Sequence, residues 1–134
     1  MSDGQRSSEA PQIQALQPGG APAAAPGYSP GILASGGRIV VVSGQGPEDL
    51  SADMETQVRQ TFDRIRLILE AAGGSLRDVV MLRVYFRNLA RDLPAYRKVR
   101  QEYFSEPFPA STAVGVTELA VEGLDIEIEA VAVV

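Results

Sequence analysis

Near the C-terminus, Asp125-Ile-Glu-Ile-Glu-Ala-Val-Ala sets two carboxylates, Glu127 and Glu129, among small and branched apolar residues. The stretch reads as a strand, and side chains alternate along a strand. Ile126, Ile128, Ala130 and Ala132 then share one face, and Glu127, Glu129, Val131 and Val133 share the other. A face mixing carboxylates with valines is neither a plain core nor a plain wet surface. It is expected of a sheet whose second face is partly covered, with an acid held near the seam. A carboxylate kept from bulk water has its pKa raised and can exchange protons near neutrality, so the seam beside Glu127 and Glu129 is where function is expected. The alternative for Glu127 is a rim charge paired with an arginine, and Glu129 is expected to be structural.

Composition limits what else can take part. The chain has no cysteine and no histidine. Without cysteine, disulfide scaffolds, thiolate nucleophiles and sulfur-ligated metals are excluded. Without histidine, the commonest general base and the commonest transition-metal ligand are gone, and with them a hydrolytic triad of the usual form. No Gly-x-Gly-x-x-Gly turn and no phosphate loop is present, so neither a cofactor nor a metal is expected. Proton transfer falls to carboxylates, to Tyr28, Tyr85, Tyr96 or Tyr103, to hydroxyls, or to water. Lys98, the only lysine, sits in a charged segment, whereas Schiff-base chemistry needs a desolvated amine.

The net charge of −5 argues against nucleic acid as a partner, since phosphate contact needs clustered positive charge. Arg83, Arg87, Arg91, Arg97 and Arg100 could still hold a small anion. No apolar run has the length of a membrane span, and the N-terminus lacks the basic and apolar regions of a signal peptide. The expected partner is a small-molecule substrate, with no nucleic acid and no membrane, and the expected location is cytoplasmic.

The elements that must position these groups follow from periodicity. Residues 1–25 are rich in Ser, Gln, Ala, Gly and Pro and are expected to form a flexible N-terminal tail, leaving 26–134 as one domain. Ile32-Leu-Ala-Ser and Arg38-Ile-Val-Val-Val-Ser predict two strands joined as a hairpin at Gly36-Gly37. Ser51 is the expected cap of a helix whose stripe is Val58, Phe62, Ile65, Leu69 and Ala72, and Gly73-Gly74 should end it. Val79 to Arg87 predicts a strand. Alternation turns its Val80, Leu82, Val84 and Phe86 toward the helices, leaving Met81, Arg83 and Tyr85 on the face of Glu127. Asp92 is the expected cap of the next helix, with Pro94 in its first turn and Tyr96, Val99 and Tyr103 inward. The order β-β-α-β-α-β-β gives a two-layer α+β domain with both helices on one face, large enough to need no covalent or metal staple. The other face carries Val131, Val133 and alternate residues of Ile39-Val-Val-Val, an apolar area that usually marks an interface.

Five segments also carry a likeness: Gly27-Tyr-Ser, Val42-Ser-Gly-Gln, Leu69-Glu-Ala-Ala-Gly-Gly-Ser-Leu-Arg-Asp-Val-Val, Pro109-Ala-Ser-Thr-Ala-Val-Gly-Val and the C-terminal Glu127 block. In order and spacing they resemble the Rid family of reactive intermediate deaminases, also called the YjgF family, over roughly residues 26–134. The resemblance implies a chorismate-mutase-like fold with a mixed sheet. It also implies homotrimers around a barrel-like core, with pockets between neighbouring subunits. It implies that Glu127 holds and activates the hydrolytic water. Tyr28 would line the substrate pocket, the alternative being that it pins the first strand. Gly44 and Gln45 would serve turn and packing roles.

One departure stands out. The deaminases have arginine after Pro-Ala in the C-terminal block, and here that position is Ser111. The family's arginine grips the substrate carboxylate by a planar, two-pronged contact, and a hydrogen bond to a charged group is worth about 1.5–3 kcal/mol. A serine cannot replace it. Either the substrate is not the usual 2-imino acid, or another cation supplies the grip, or the protein is not a deaminase. Arg83 is the first candidate for that cation, with an intersubunit salt bridge as its alternative. Arg97, where many family members have asparagine, is the second. The expectation is a Rid-type small-molecule enzyme hydrolysing an enamine, imine or related reactive intermediate other than the classical 2-iminoacid. The alternatives are a tautomerase, dehydratase or cyclase-type step in a specialised pathway, or a non-catalytic metabolite-binding regulatory trimer. A ribonuclease is disfavoured by the acidic balance and the missing histidine.

Overall fold

The computed structural model describes residues 10–21 and 27–134. A four-stranded mixed sheet holds β3 (Ile39–Gln45), β6 (Ile126–Val133), β4 (Val79–Phe86) and β5 (Ala110–Gly115) in that spatial order. Only the β4–β5 pair is parallel. Helices α1 (Met54–Ala71) and α2 (Leu89–Tyr103) pack on each other and cover one side of this sheet. The domain is two-layer α+β, as the pattern of strands and stripes predicts. Among the described residues no helix is long and apolar enough to cross a membrane.

The core lies between sheet and helices. From α1 come Val58, Phe62, Ile65 and Leu69, and from α2 come Tyr96 and Val99. The sheet supplies Leu82, Val84 and Phe86 of β4 and Ile126, Ile128, Ala130 and Ala132 of β6, all buried. Phe62 joins the two helices, with its ring edge-on to Phe104 at 5.1 Å and tilted against Tyr103 at 5.3 Å, a favoured aromatic geometry. Gly73 takes the left-handed conformation at φ 80°. Its N–H donates to the Glu70 carbonyl and that of Gly74 to the Leu69 carbonyl, the paired closure that glycine allows at a helix end.

Several expectations need correction. The strands on either side of Gly36-Gly37 do not form a hairpin. β2 (Gly31–Ser35) pairs antiparallel with β1 (Gln12–Leu16) in a separate two-stranded sheet, while β3 pairs with β6. Gly36 and Gly37, both at positive φ, turn a corner instead. Arg38 and Val134 exchange backbone hydrogen bonds of 2.7 and 2.8 Å directly after it, which commits the chain to β6. β1 falls within the stretch 1–25 expected to be a tail. The rest of that stretch, apart from 10, 11 and 17–21, lies outside the described residues.

α1 is capped by Asp53, whose Oδ1 accepts from Thr56 N at 2.8 Å, whereas the Ser51 hydroxyl donates to Asp49 at 2.7 Å. α2 begins a turn earlier than expected, with Asn88 as its cap and Pro94 inside it, because Leu89 packs inward against the core. Asp92 is therefore not the cap but a buried first-turn residue bound by Arg91 at 2.8 and 2.9 Å. A register shift between Val79 and Met81 puts Val79, rather than Val80, in the core.

On the uncovered side of the sheet Ile39 is 73% and Val41 75% exposed, while Val133 is already buried within the chain. Replacing Asp53 with alanine should lower the unfolding free energy by about 1 kcal/mol, and Ser51→Ala should cost less. Urea denaturation of the two variants checks the assignment, and the reverse ranking would restore Ser51 as the cap.

A candidate active site split across the sheet

Tyr28 and Ser111 come together at the start of β5. The Ser29 N–H donates to the Pro109 carbonyl at 3.1 Å, and its hydroxyl donates to the Phe108 carbonyl at 2.6 Å. A parallel bridge joins Ser29 to Ala110. These bonds, all made by Ser29, pin the Gly27-Tyr28-Ser29 turn to β5 and set Tyr28 beside the strand. In the β4–β5 register Ser111 is opposite Leu82 and Ala113 opposite Val84, so both turn toward the helices. A cavity of about 220 Å³ lies there between β5 and α2. Its lining includes Tyr28, Ser111 and Ala113 on one side and Leu93, Tyr96, Arg97 and Arg100 of α2 on the other.

Glu127 and Arg83 lie on the opposite face. Glu127 is half-buried, opposite Tyr85 in the register, and lines a recess with Gly44, Gly46, Pro47 and Arg64. A Cβ at Gly44 would overlap the Glu127 carboxylate, so a side chain there would displace the Glu127 carboxylate from this position. Arg83 donates to Glu129 at 2.8 Å, and the Tyr85 hydroxyl donates to the same Oε1 at 2.7 Å. The Tyr85 hydrogen bond, opposed by burial and reinforced by the hydrogen bond and charge of Arg83, holds the Glu129 carboxyl below its usual range. The same bond to Glu129, with burial, pushes the Tyr85 phenol up.

The five candidate residues thus fall into two groups. Tyr28, Ser111 and Arg97 share the cavity on the helical side; Glu127 and Arg83 share the open face. Arg83 is committed to Glu129 of its own chain and is not brought to Ser111. Arg100 and Tyr96 are the cavity residues that the sequence pattern leaves out of the site, treating the first as one of five patch arginines and the second as core. Their spacing carries the signal, since Tyr96, Val99, Arg100 and Tyr103 follow the steps of three and four that define one helix face. An arginine on that face is 6% exposed.

The sequence profile of the endoribonuclease L-PSP family matches residues 19–134. This chain belongs to that family, known also as the Rid or YjgF family. Its similarity to a RutC family protein of Pyrococcus horikoshii is 40% identity over 111 residues, 78% of this chain and 85% of the relative. With the 2-iminobutanoate/2-iminopropanoate deaminase of Escherichia coli it shares 35% identity over 121 residues, 84% of this chain and 91% of that one. The crystal structure of RidA from an Antarctic Psychrobacter superposes with a TM-score of 0.68 at 36% identity, covering 90% of this chain and 99% of the other.

In this Rid-family chain the open-face cluster around Glu129 has a measurable consequence. The folded-state pKa of Glu129 is lowered, so its stabilising contribution is present above the unfolded value near 4.3 and is lost as pH falls through the folded pKa. With the pair largely exposed, solvent screening keeps the contribution small. Glu129→Gln should therefore narrow the difference in urea midpoint between pH 7 and acid pH. An unchanged difference would remove Glu129 from the acid response.

Proposed function

We propose that this protein is a Rid-type hydrolase that deaminates small imines or enamines in sites shared between subunits of a homotrimer. The observation that carries the reading is the extended identity with the E. coli 2-iminobutanoate/2-iminopropanoate deaminase, 35% across 84% of this chain. The endoribonuclease of the family's description is not adopted, because a chain of net charge −5 without histidine offers neither the phosphate-binding surface nor the usual base.

The split site supports the subunit requirement. Ser111 faces the helices and Glu127 faces away from them, so one sheet separates the two groups in a single protomer. A site using both takes the Tyr28–Ser111 cavity from one copy and Glu127 from a neighbour. The exposed Ile39 and Val41 supply an apolar surface for that contact, consistent with the family's trimer.

In this site the Glu127 carboxylate accepts a proton from water as the water oxygen bonds to the imine carbon. Glu127 passes that proton to the nitrogen, giving a carbinolamine and restoring the carboxylate. The carbinolamine's hydroxyl proton is then carried through Glu127 to the amino nitrogen as the C–N bond breaks, releasing ammonia and leaving the carbonyl. Tyr28 packs on the substrate and offers a hydroxyl. Ser111 bears on the substrate's identity, since a serine on β5 does not grip a carboxylate as arginine does.

Ammonia release from enzymatically generated 2-iminopropanoate, corrected for spontaneous hydrolysis, tests the reaction. General-base catalysis contributes about 10²–10⁴-fold, so Glu127→Gln should lower kcat by at least about a hundredfold with the fold intact; an unaltered rate would dismiss Glu127 as the base. Light scattering should give a trimer for the native protein, and Val41→Glu should dissociate it. A native monomer at micromolar concentration would remove the shared site.

A further inference from the structure

We propose that Arg100 of α2 is the substrate-binding residue that grips a carboxylate in this chain, with Tyr96 as a second donor, so that the anion grip enters the cavity from the helix rather than from β5. The identity of the reacting imine rests on the deaminase reading; the carboxylate grip rests on the cavity alone.

The Arg100 guanidinium is oriented by its surroundings. Its central carbon lies 5.3 Å from the Tyr96 ring centre and 6.0 Å from that of Tyr28, within the range of cation–π attraction. Gly27 lets the turn close over it, since a Cβ there would sit 2.9 Å from both Nε and Nη2. The residue is 6% exposed and lines the cavity. A cation screened from bulk water attracts an anion more strongly than one at the surface. Arg97, exposed at the same cavity, adds a second positive charge where a ligand would enter.

Tyr96 supplies a second observation at the same cavity. Its side chain is 1% exposed, lines the cavity, and its hydroxyl has no hydrogen-bond partner among the described residues. Buried hydroxyls are normally paired. Burial raises the pKa of this phenol, with Ser111 and Arg100 nearby pulling it the other way, so the group keeps its proton and can donate. A carboxylate beside Arg100 would satisfy it.

Ser111 then has a physical reason. An arginine at 111 would bring a third guanidinium to a cavity already lined by Arg97 and Arg100, and like charges in a screened site repel. The short hydroxyl leaves the cavity open and avoids the repulsion. The substrate class that fits is a small 2-imino acid, bearing its carboxylate next to the reacting carbon. Its hydrolysis product is the corresponding 2-oxo acid.

Binding of 2-oxobutanoate, followed by calorimetry on the intact protein, tests the grip without turnover. Arg100→Met should weaken binding about ten- to hundredfold, the range for a lost hydrogen bond to a charged group. Arg100→Lys should lose less, because it keeps the charge but not the fork. The double variant Arg100→Met with Ser111→Arg should recover binding by returning the arginine to the strand. Tyr96→Phe removes one oxygen from a packed ring and is expected to fold; it should weaken binding several-fold, which keeps the test open if Arg100→Met fails to fold. Native affinity in Tyr96→Phe together with native affinity in a folded Arg100→Met or Arg100→Lys would overturn the proposal, as would no binding to the native protein. Ammonia release whose KM is indifferent to Arg100→Met would overturn the grip and leave the deaminase standing. Arginine-dependent binding without ammonia release would do the reverse.

Discussion

The strict two-residue period of β6 is the constraint on which the rest of the molecule depends. This strand is flanked on both sides, by β3 and by β4, and its faces meet different surroundings. Ile126, Ile128, Ala130 and Ala132 are at most 1% exposed against the helices, whereas Glu127, Glu129 and Val131 are only half-buried on the other side. A slip of one residue would drive two carboxylates into the core and turn the isoleucines out, at a cost no surface ion pair could offset. The register is thereby fixed, and with it the placement of every polar group on the open face.

From that register the division of the site follows. Arg83 stands opposite Glu129 and Tyr85 opposite Glu127, so the middle of the open face is taken by the Arg83–Glu129–Tyr85 cluster. Glu127 is left at its end, shaped by Gly44 rather than held by an arginine of its own sheet. Parallel pairing of β5 with β4 carries Ser111 to the other face. Glu127 and the Tyr28–Ser111 cavity, separated by a sheet, cannot act on one molecule within one copy. The exposed Ile39 and Val41 lie on the side where Glu127 would meet a neighbour. The apolar row and the split site therefore ask for the same thing.

Much of this is legible in the chain. The helix stripes through Phe62 and Tyr96, the glycine closure at Gly73-Gly74 and the alternation of β6 are local patterns with a single packing solution, and the α+β class follows from their order. The pairing of β2 is not local. Gly36-Gly37 carries a hairpin signal, but the turn is used to deliver β3 to β6, and the partner of β2 is a strand in a segment whose composition resembles a tail. Helix starts are misread for a related reason, since Ser51, Asp53, Asn88 and Asp92 are all acceptable cap residues and only packing chooses among them. For the candidate site, Tyr28, Ser111, Arg97 and Glu127 can be named from sequence and alternation gives the face of Glu127, while the turn of Ser111 toward the helices is set by the β4–β5 pairing. Arg83 illustrates the difference. Alternation places it correctly beside the glutamates, and that same placement removes it from the cavity.

On the proposal made for Arg100, the departure at Ser111 is offset from the opposite wall of the same cavity. A serine on β5 signals a lost cation only if the cation must come from β5. The cavity has two walls, and the helical wall presents Arg97 and Arg100 four and seven residues after Leu93, on the turns that face the strand. A guanidinium reaching inward from a helix is fixed at several points, here by two tyrosine rings and the close approach of Gly27. Strand placement would fix it chiefly through its own backbone. The proposed grip from the helix would be coupled to the position of the Gly27-Tyr28-Ser29 turn, itself tied to β5 through Ser29. Turn, strand and helix thus close around one cavity, and a shift in any of them changes the distance between Arg100 and the two rings that hold it.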